Sequence, residues 1–114
     1  MSRTRRLLLA VAASDNTFER VSLRGSEYWV GRCIHCASKV SIPLADDEPA
    51  HGTLEHIVPR NHGGSDEPDN LAVACARCNQ GKGKRLDKRR ADDPALLRVI
   101  ATLQARRRER LRHA

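Results

Sequence analysis

Four cysteines stand as two pairs, Cys33-Ile34-His35-Cys36 and Cys75-Ala76-Arg77-Cys78. A two-residue spacer lets one tight turn offer both sulfurs to one ion. Two such pairs about 40 residues apart suit a tetrahedral zinc site with Zn–S distances of about 2.3 Å. Two disulfides, or unrelated buried thiols, are the other readings of the pattern, and disulfides need an oxidising compartment. His35 reads as a turn residue, because the thiolates already fill the zinc shell. A second chemistry-bearing group lies between the pairs. Glu55 and His56 stand side by side between Leu54 and Ile57-Val58. A carboxylate and an imidazole are costly in an apolar strand unless they are paired or bound to something. An exposed pair in a turn, held by an ion pair, is one solution; a bound ligand is the other.

Taken in order, the parts carry a resemblance. They are Cys33-x2-Cys36, Glu55-His56-Ile57-Val58-Pro59, Gly63-Gly64, Asn70-Leu71 and Cys75-x2-Cys78-Asn79-x2-Lys82-Gly83. The series resembles the HNH endonucleases, and within them the zinc-stapled branch of the ββα-metal nucleases. It runs from Cys33 to Lys84, about half the chain. The resemblance implies two strands and a helix gripping a divalent cation. It implies His56 as general base, Glu55 as a metal ligand and Asn70 as the residue that orients the histidine loop and ring. It implies Asn79 as the second protein ligand of the cation. Many members carry aspartate where this chain has Glu55, whose extra methylene moves the expected metal position.

Those residue types fit phosphodiester hydrolysis. The substrate is already anionic, so attack by water needs a base and charge neutralisation. Histidine side chains titrate near neutrality, with an ordinary pKa of ~6.5, and a neutral ring takes a proton there. Carboxylate and amide oxygens suit Mg²⁺ or Mn²⁺ and leave positions for water and phosphate. The zinc, with a full thiolate shell, is expected to be structural. The implied activity is metal-dependent cleavage of DNA. The alternative is a non-catalytic zinc-ribbon module that binds nucleic acid.

The elements that must position these groups are legible in outline. Residues 18–33 alternate apolar and polar around Arg24-Gly25-Ser26, as a hairpin does. Short strands are expected at 39–44, 54–58 and 70–75, with loops at 45–52 and 59–69. A helix is expected to start at the second cysteine pair, despite Gly81 and Gly83. Asp93 followed by Pro94 is an N-cap signal, and Leu96, Val99, Ile100 and Leu103 form the stripe of a last helix. The expectation is a small α+β, zinc-stabilised ββα-metal domain. Residues 1–17 form an N-terminal segment with a short helix, 18–90 the HNH domain and 91–114 a basic C-terminal helix.

Charge is uneven. Residues 82–114 hold 12 of the 21 Lys/Arg and only four of the 14 acids, so the excess positive charge lies in this third of the chain. Such asymmetry suits a polyanion, DNA here, unless it is a solvated tail. Arg60, His62, Lys82, Lys84 and Arg85 are the candidate DNA contacts, with His62 equally readable as a solvated loop residue. No apolar run is long enough to span a membrane. The run Leu7–Ala13 is at the short limit for an export signal and otherwise reads as a first helix packing Leu7, Leu8 and Val11. The expected location is the cytoplasm of a bacterial or phage-infected cell. Small proteins of this family serve phage packaging, restriction, mobile elements or toxicity. The motif does not choose among phage or restriction partners, nor between monomer and dimer.

Overall fold

The computed structural model describes residues 1–112. Helix α1 spans Arg3–Ser14, capped by the Ser2 hydroxyl, which accepts from the Arg5 N–H. Its apolar stripe buries Leu8, Val11 and Ala12 in the core, with Leu7 packed against it. The apolar N-terminal run is therefore a core helix in the structure. Strands β1 (Glu19–Leu23) and β2 (Ser26–Arg32) form the expected hairpin. Its turn places Arg24 at φ 52° and Gly25 at φ 80°, and two central residues at positive φ match the twist of paired strands. Strand β3 (Lys39–Pro43) pairs antiparallel with β2 and completes a three-stranded sheet.

A second, two-stranded sheet carries the conspicuous residues. Strand β4 (Gly52–His56) pairs antiparallel with β5 (Leu71–Cys75), in a register that sets Glu55 against Ala72 and His56 against Leu71. Between them the chain makes two single-turn 3-10 helices, Arg60–His62 and Pro68–Asn70. The second cysteine pair opens helix α2 (Ala76–Lys82). Gly81 and Gly83 do not break it; it widens into a π turn over Gly83–Asp87. That widening is a local irregularity of the sort found near functional sites. Together β4, β5 and α2 make a ββα unit, and the chain as a whole is a small α+β, cysteine-clustered domain. The core is continuous across both sheets and α1, with Phe18, Ile34, Ile42, Ile57, Leu71, Val73 and Leu103 fully buried.

Helix α3 runs Pro94–Arg110, with the Asp93 carboxylate accepting from the N–H groups of Ala95 and Leu96. It buries Leu96 and Leu103, as its stripe requires, and Val99 and Ile100 pack at the edge of the core. The basic end of this helix departs from the expectation of a DNA-binding tail. Arg106 Nη1 donates to the carbonyls of Ile34 (3.1 Å) and His35 (2.9 Å). Arg110 donates to the carbonyls of Arg32 and Cys33. Arg107 is buried and donates to Ser14 Oγ and the Pro68 carbonyl. Arg112 donates to the carbonyls of Ala13, Asp15 and Phe18. Composition counted these guanidinium groups as free charge; the fold uses them to satisfy carbonyls. Among the described residues no helix is long and apolar enough to cross a membrane.

Candidate active site and metal centre

The hairpin β2–β3 and the junction β5–α2 bring all four cysteines together. The Sγ atoms of Cys33, Cys36, Cys75 and Cys78 lie within 4.8 Å of one another. Among the described residues this is the one cluster of three or more His, Cys, Asp or Glu side chains able to hold a metal ion. All four cysteines are free thiols. Each pair is shaped as a knuckle. Cys33 Sγ accepts from the His35 N–H and Cys75 Sγ from the Cys78 N–H, both at 3.4 Å. Backbone donors aimed at sulfur favour its thiolate form. The Ser38 hydroxyl beside Cys36 lowers that thiol to about 6, whereas burial pushes Cys33 and Cys78 up. Crowded thiols of opposed tendency are what a divalent cation resolves, because it takes all four as thiolates and releases their protons. The donor set is soft, closed and tetrahedral in number, so zinc fits it as a structural ion.

His56 closes β4, and its ring is held by a residue that the sequence did not single out. His56 Nε2 lies 2.7 Å from Asp66 Oδ1. The same nitrogen is 3.2 Å from Arg60 Nε. Both contacts cannot be hydrogen bonds at once, since one needs a proton on Nε2 and the other a lone pair. The shorter, charge-assisted contact decides: Nε2–H donates to Asp66 and the lone pair lies on Nδ1. The hydrogen bond from His56, then that from Arg3, lower the Asp66 carboxyl to about 2. It is therefore an anion wherever histidines titrate. Arg3 Nη2 reaches Asp66 Oδ2 at 3.1 Å, tying α1 to this corner.

The loop that brings Asp66 to His56 is folded by Asn70. Its Oδ1 accepts from the Val58 N–H (2.8 Å), and its Nδ2 donates to the carbonyls of Val58 (3.1 Å) and Ser65 (2.8 Å). One side chain thus closes the loop from both ends. Gly63 turns at φ 82°. Gly64 packs so tightly that a Cβ there would lie 1.7 Å from the Val58 carbonyl oxygen.

Glu55 points to the other side of β4, as strand alternation requires. It is 1% exposed, and its Oε2 accepts a hydrogen bond from His35 Nε2. Its Oε1 is buried and has no hydrogen-bond partner. Asn79 does not hydrogen-bond Glu55. Its Nδ2 donates to Thr53 Oγ1 (3.1 Å) and the Leu54 carbonyl (3.0 Å), which leaves Oδ1 as its remaining polar atom. Thr53 and Glu55 share a face of β4, so Asn79 lies on the Glu55 side of the strand.

The candidate DNA contacts divide. Lys82 is corrected: it is 2% exposed and donates to the His56 carbonyl (3.1 Å) and to Asp87 Oδ1 (2.8 Å). It fixes the end of β4 and is not open to phosphate. His62 donates to the Asp87 carbonyl, which also accepts from Asn61. The π turn is what delivers Asp87 both to Lys82 and to the turn at Arg60–His62. Arg60, Lys84 and Arg85 are exposed.

Residues 33–85 match the family model described as HNH endonuclease. That stretch is similar to the HNH endonuclease domain. A search of curated proteins and a search of solved structures each returned no match. The HNH match begins at the first cysteine knuckle and ends just past Lys84, so it includes both knuckles, β4, the Asn70 loop, β5 and α2. Two partners of the motif residues escaped sequence reading. Asp66 is one acid among several in a polar loop, and only the Asn70 clamp selects it. His35 looked like filler between two zinc ligands.

Proposed function

We propose that the protein is a metal-dependent DNA endonuclease whose HNH domain hydrolyses phosphodiester bonds. The observation that carries this reading is the His56–Asp66 pair at the end of β4, on a loop clamped by Asn70. A buried structural zinc needs no such arrangement. It is what a general base needs: a ring of fixed tautomer, with the lone pair of Nδ1 free to take a proton from water.

His56 is the base and Asp66 holds its ring in orientation, stabilising the imidazolium formed as the water proton arrives. Asn70 keeps Asp66 in place. Glu55 and Asn79 would hold the divalent cation through the unpartnered Glu55 Oε1 and the Asn79 carbonyl oxygen. That cation, Mg²⁺ or Mn²⁺, would neutralise the charge that builds on the phosphate and leaving oxygen. The exposed Arg60, Lys84 and Arg85 would meet phosphates and set the register of the duplex. The zinc knuckles fix the start of α2, and with it Asn79.

A nicking assay on supercoiled plasmid with Mg²⁺ or Mn²⁺ tests this. His56→Ala should lower cleavage by roughly 10²–10⁴-fold, the usual loss for a general base, with zinc content unchanged. A wild type that cuts no DNA with any divalent metal leaves the non-catalytic zinc-ribbon reading in its place, and a His56→Ala that cuts as well as the wild type overturns His56 as the base.

A further inference from the structure

The knuckle histidine is in an unusual position. Ile34, its neighbour, fills the core. His35 instead turns its ring towards β4, and Nε2 meets Glu55 Oε2. Its backbone is held on both sides: the N–H donates to Cys33 Sγ, and the carbonyl accepts from Arg106 at 2.9 Å. The ring is therefore presented from a rigid, zinc-tied turn.

Glu55 presents a problem that this one contact does not solve. A carboxylate that is 1% exposed has one oxygen on His35 and the other with no partner. A carboxyl group buried with one oxygen unmet is costly and calls for a partner there. A cation bound at the unpartnered Oε1, with the imidazole turned from Oε2 to share it, removes that cost.

We propose that His35 Nε2 is a protein ligand of the divalent cation at Glu55, an imidazole contributed by the zinc knuckle. The inference rests on the cation site of the proposed nuclease and deepens it by naming a ligand. On binding, the ring changes tautomer: its proton passes through solvent from Nε2 to Nδ1, and the Nε2 lone pair turns to the ion. The site then offers one imidazole, one carboxylate and one amide oxygen. That set favours Mn²⁺, Co²⁺ or Ni²⁺ over Mg²⁺, which prefers oxygen and water.

The test is cation binding to protein already loaded with one zinc per chain. Mn²⁺ is followed by loss of its free-ion EPR signal, Co²⁺ by visible absorption and Mg²⁺ by calorimetry. Cobalt that enters the thiolate site is recognised by its sulfur charge-transfer band and discounted. The wild type should take up one Co²⁺ beyond the zinc. His35→Gln keeps a donor for Glu55 but removes the imidazole. It should weaken Co²⁺ and Mn²⁺ binding by at least about 10–100-fold, the loss seen when a residue that merely supports a ligand is removed, and leave Mg²⁺ binding nearly unchanged. Equal Co²⁺ affinity in wild type and His35→Gln overturns the proposal. So does a wild type that binds no second cation, a result that also removes the cation from the nuclease reading. Binding that depends on His35 in a protein that cuts no DNA overturns the nuclease reading alone. Should His35→Gln lose its zinc, the wild type decides: Co²⁺ must shift and broaden the ¹⁵N signal of His35 Nε2, and an unshifted signal overturns the proposal.

Discussion

Removing the Asn70 amide should loosen one loop and leave the rest of the domain standing. In Asn70→Ala three hydrogen bonds vanish, two to Val58 and one to Ser65. Each is worth about 1 kcal/mol net. The bond to Ser65 is exposed, and water replaces it readily; the two to Val58 are half-buried. The expected loss is therefore about 2 kcal/mol, read as a lower urea midpoint with unchanged slope. A change of that size shifts the ratio of closed to open loop by about 30-fold. Asp66 rides on this loop, so opening it frees the His56 ring. Plasmid nicking should fall by up to about 30-fold, less than for His56→Ala. The two changes should not add. In a His56→Ala background, Asn70→Ala should still cost about 2 kcal/mol of stability and no further activity, because the group that it positions is gone. A further fall in cleavage in that background would refute the idea that Asn70 acts through His56. An unchanged urea midpoint in the single variant would refute the clamp itself.

Stripping the metal with a strong chelator should unfold the domain, since ligation and folding are coupled at such sites; metal analysis should find about one zinc per chain, and circular dichroism should collapse as it leaves. The Asp66 carboxyl, lowered to about 2 in the fold, contributes stability that is whole above the ordinary carboxyl pKa of ~3.9 and is lost as pH falls towards 2. Asp66→Asn should flatten that acid limb in a stability–pH series, and an identical limb in the variant would show that another carboxyl carries it. Arg106→Ala should lower stability without changing the salt dependence of DNA binding. Lys84→Ala and Arg85→Ala should each reduce that salt slope by about 1 and leave stability alone.

Much of this is legible in the amino-acid sequence. Zinc knuckles have a spacing, and the spacing is chemical: Cys33, Cys36, Cys75 and Cys78 do converge. Asp93-Pro94 and the Arg24-Gly25 turn announce local geometry through local residues, and both elements form as read. What stayed hidden was long-range. Lys82 and Arg106 were read by charge, and charge alone does not say whether a cation faces solvent or a carbonyl. Both are used internally, because a strand end and a knuckle leave carbonyls that need donors. The Asp66–His56 contact spans ten residues of loop, and no periodicity encodes the path of a loop. His35 reads as a turn residue because four thiolates fill the zinc shell; the sequence does not show that its ring faces β4.

The arginines at the end of α3 bear on the order in which the molecule is made. The first knuckle leaves the ribosome well before its partner, so no complete thiolate cage exists until Cys78 is out. Even then the carbonyls of Arg32 through His35 lack the donors that cover them, Arg106 and Arg110. Arg112, which bonds to the carbonyls of Ala13, Asp15 and Phe18, arrives later still. The knuckle that carries His35 is thus secured only after residues more than 70 positions downstream have been synthesised. A nascent chain would hold this first knuckle slack until then.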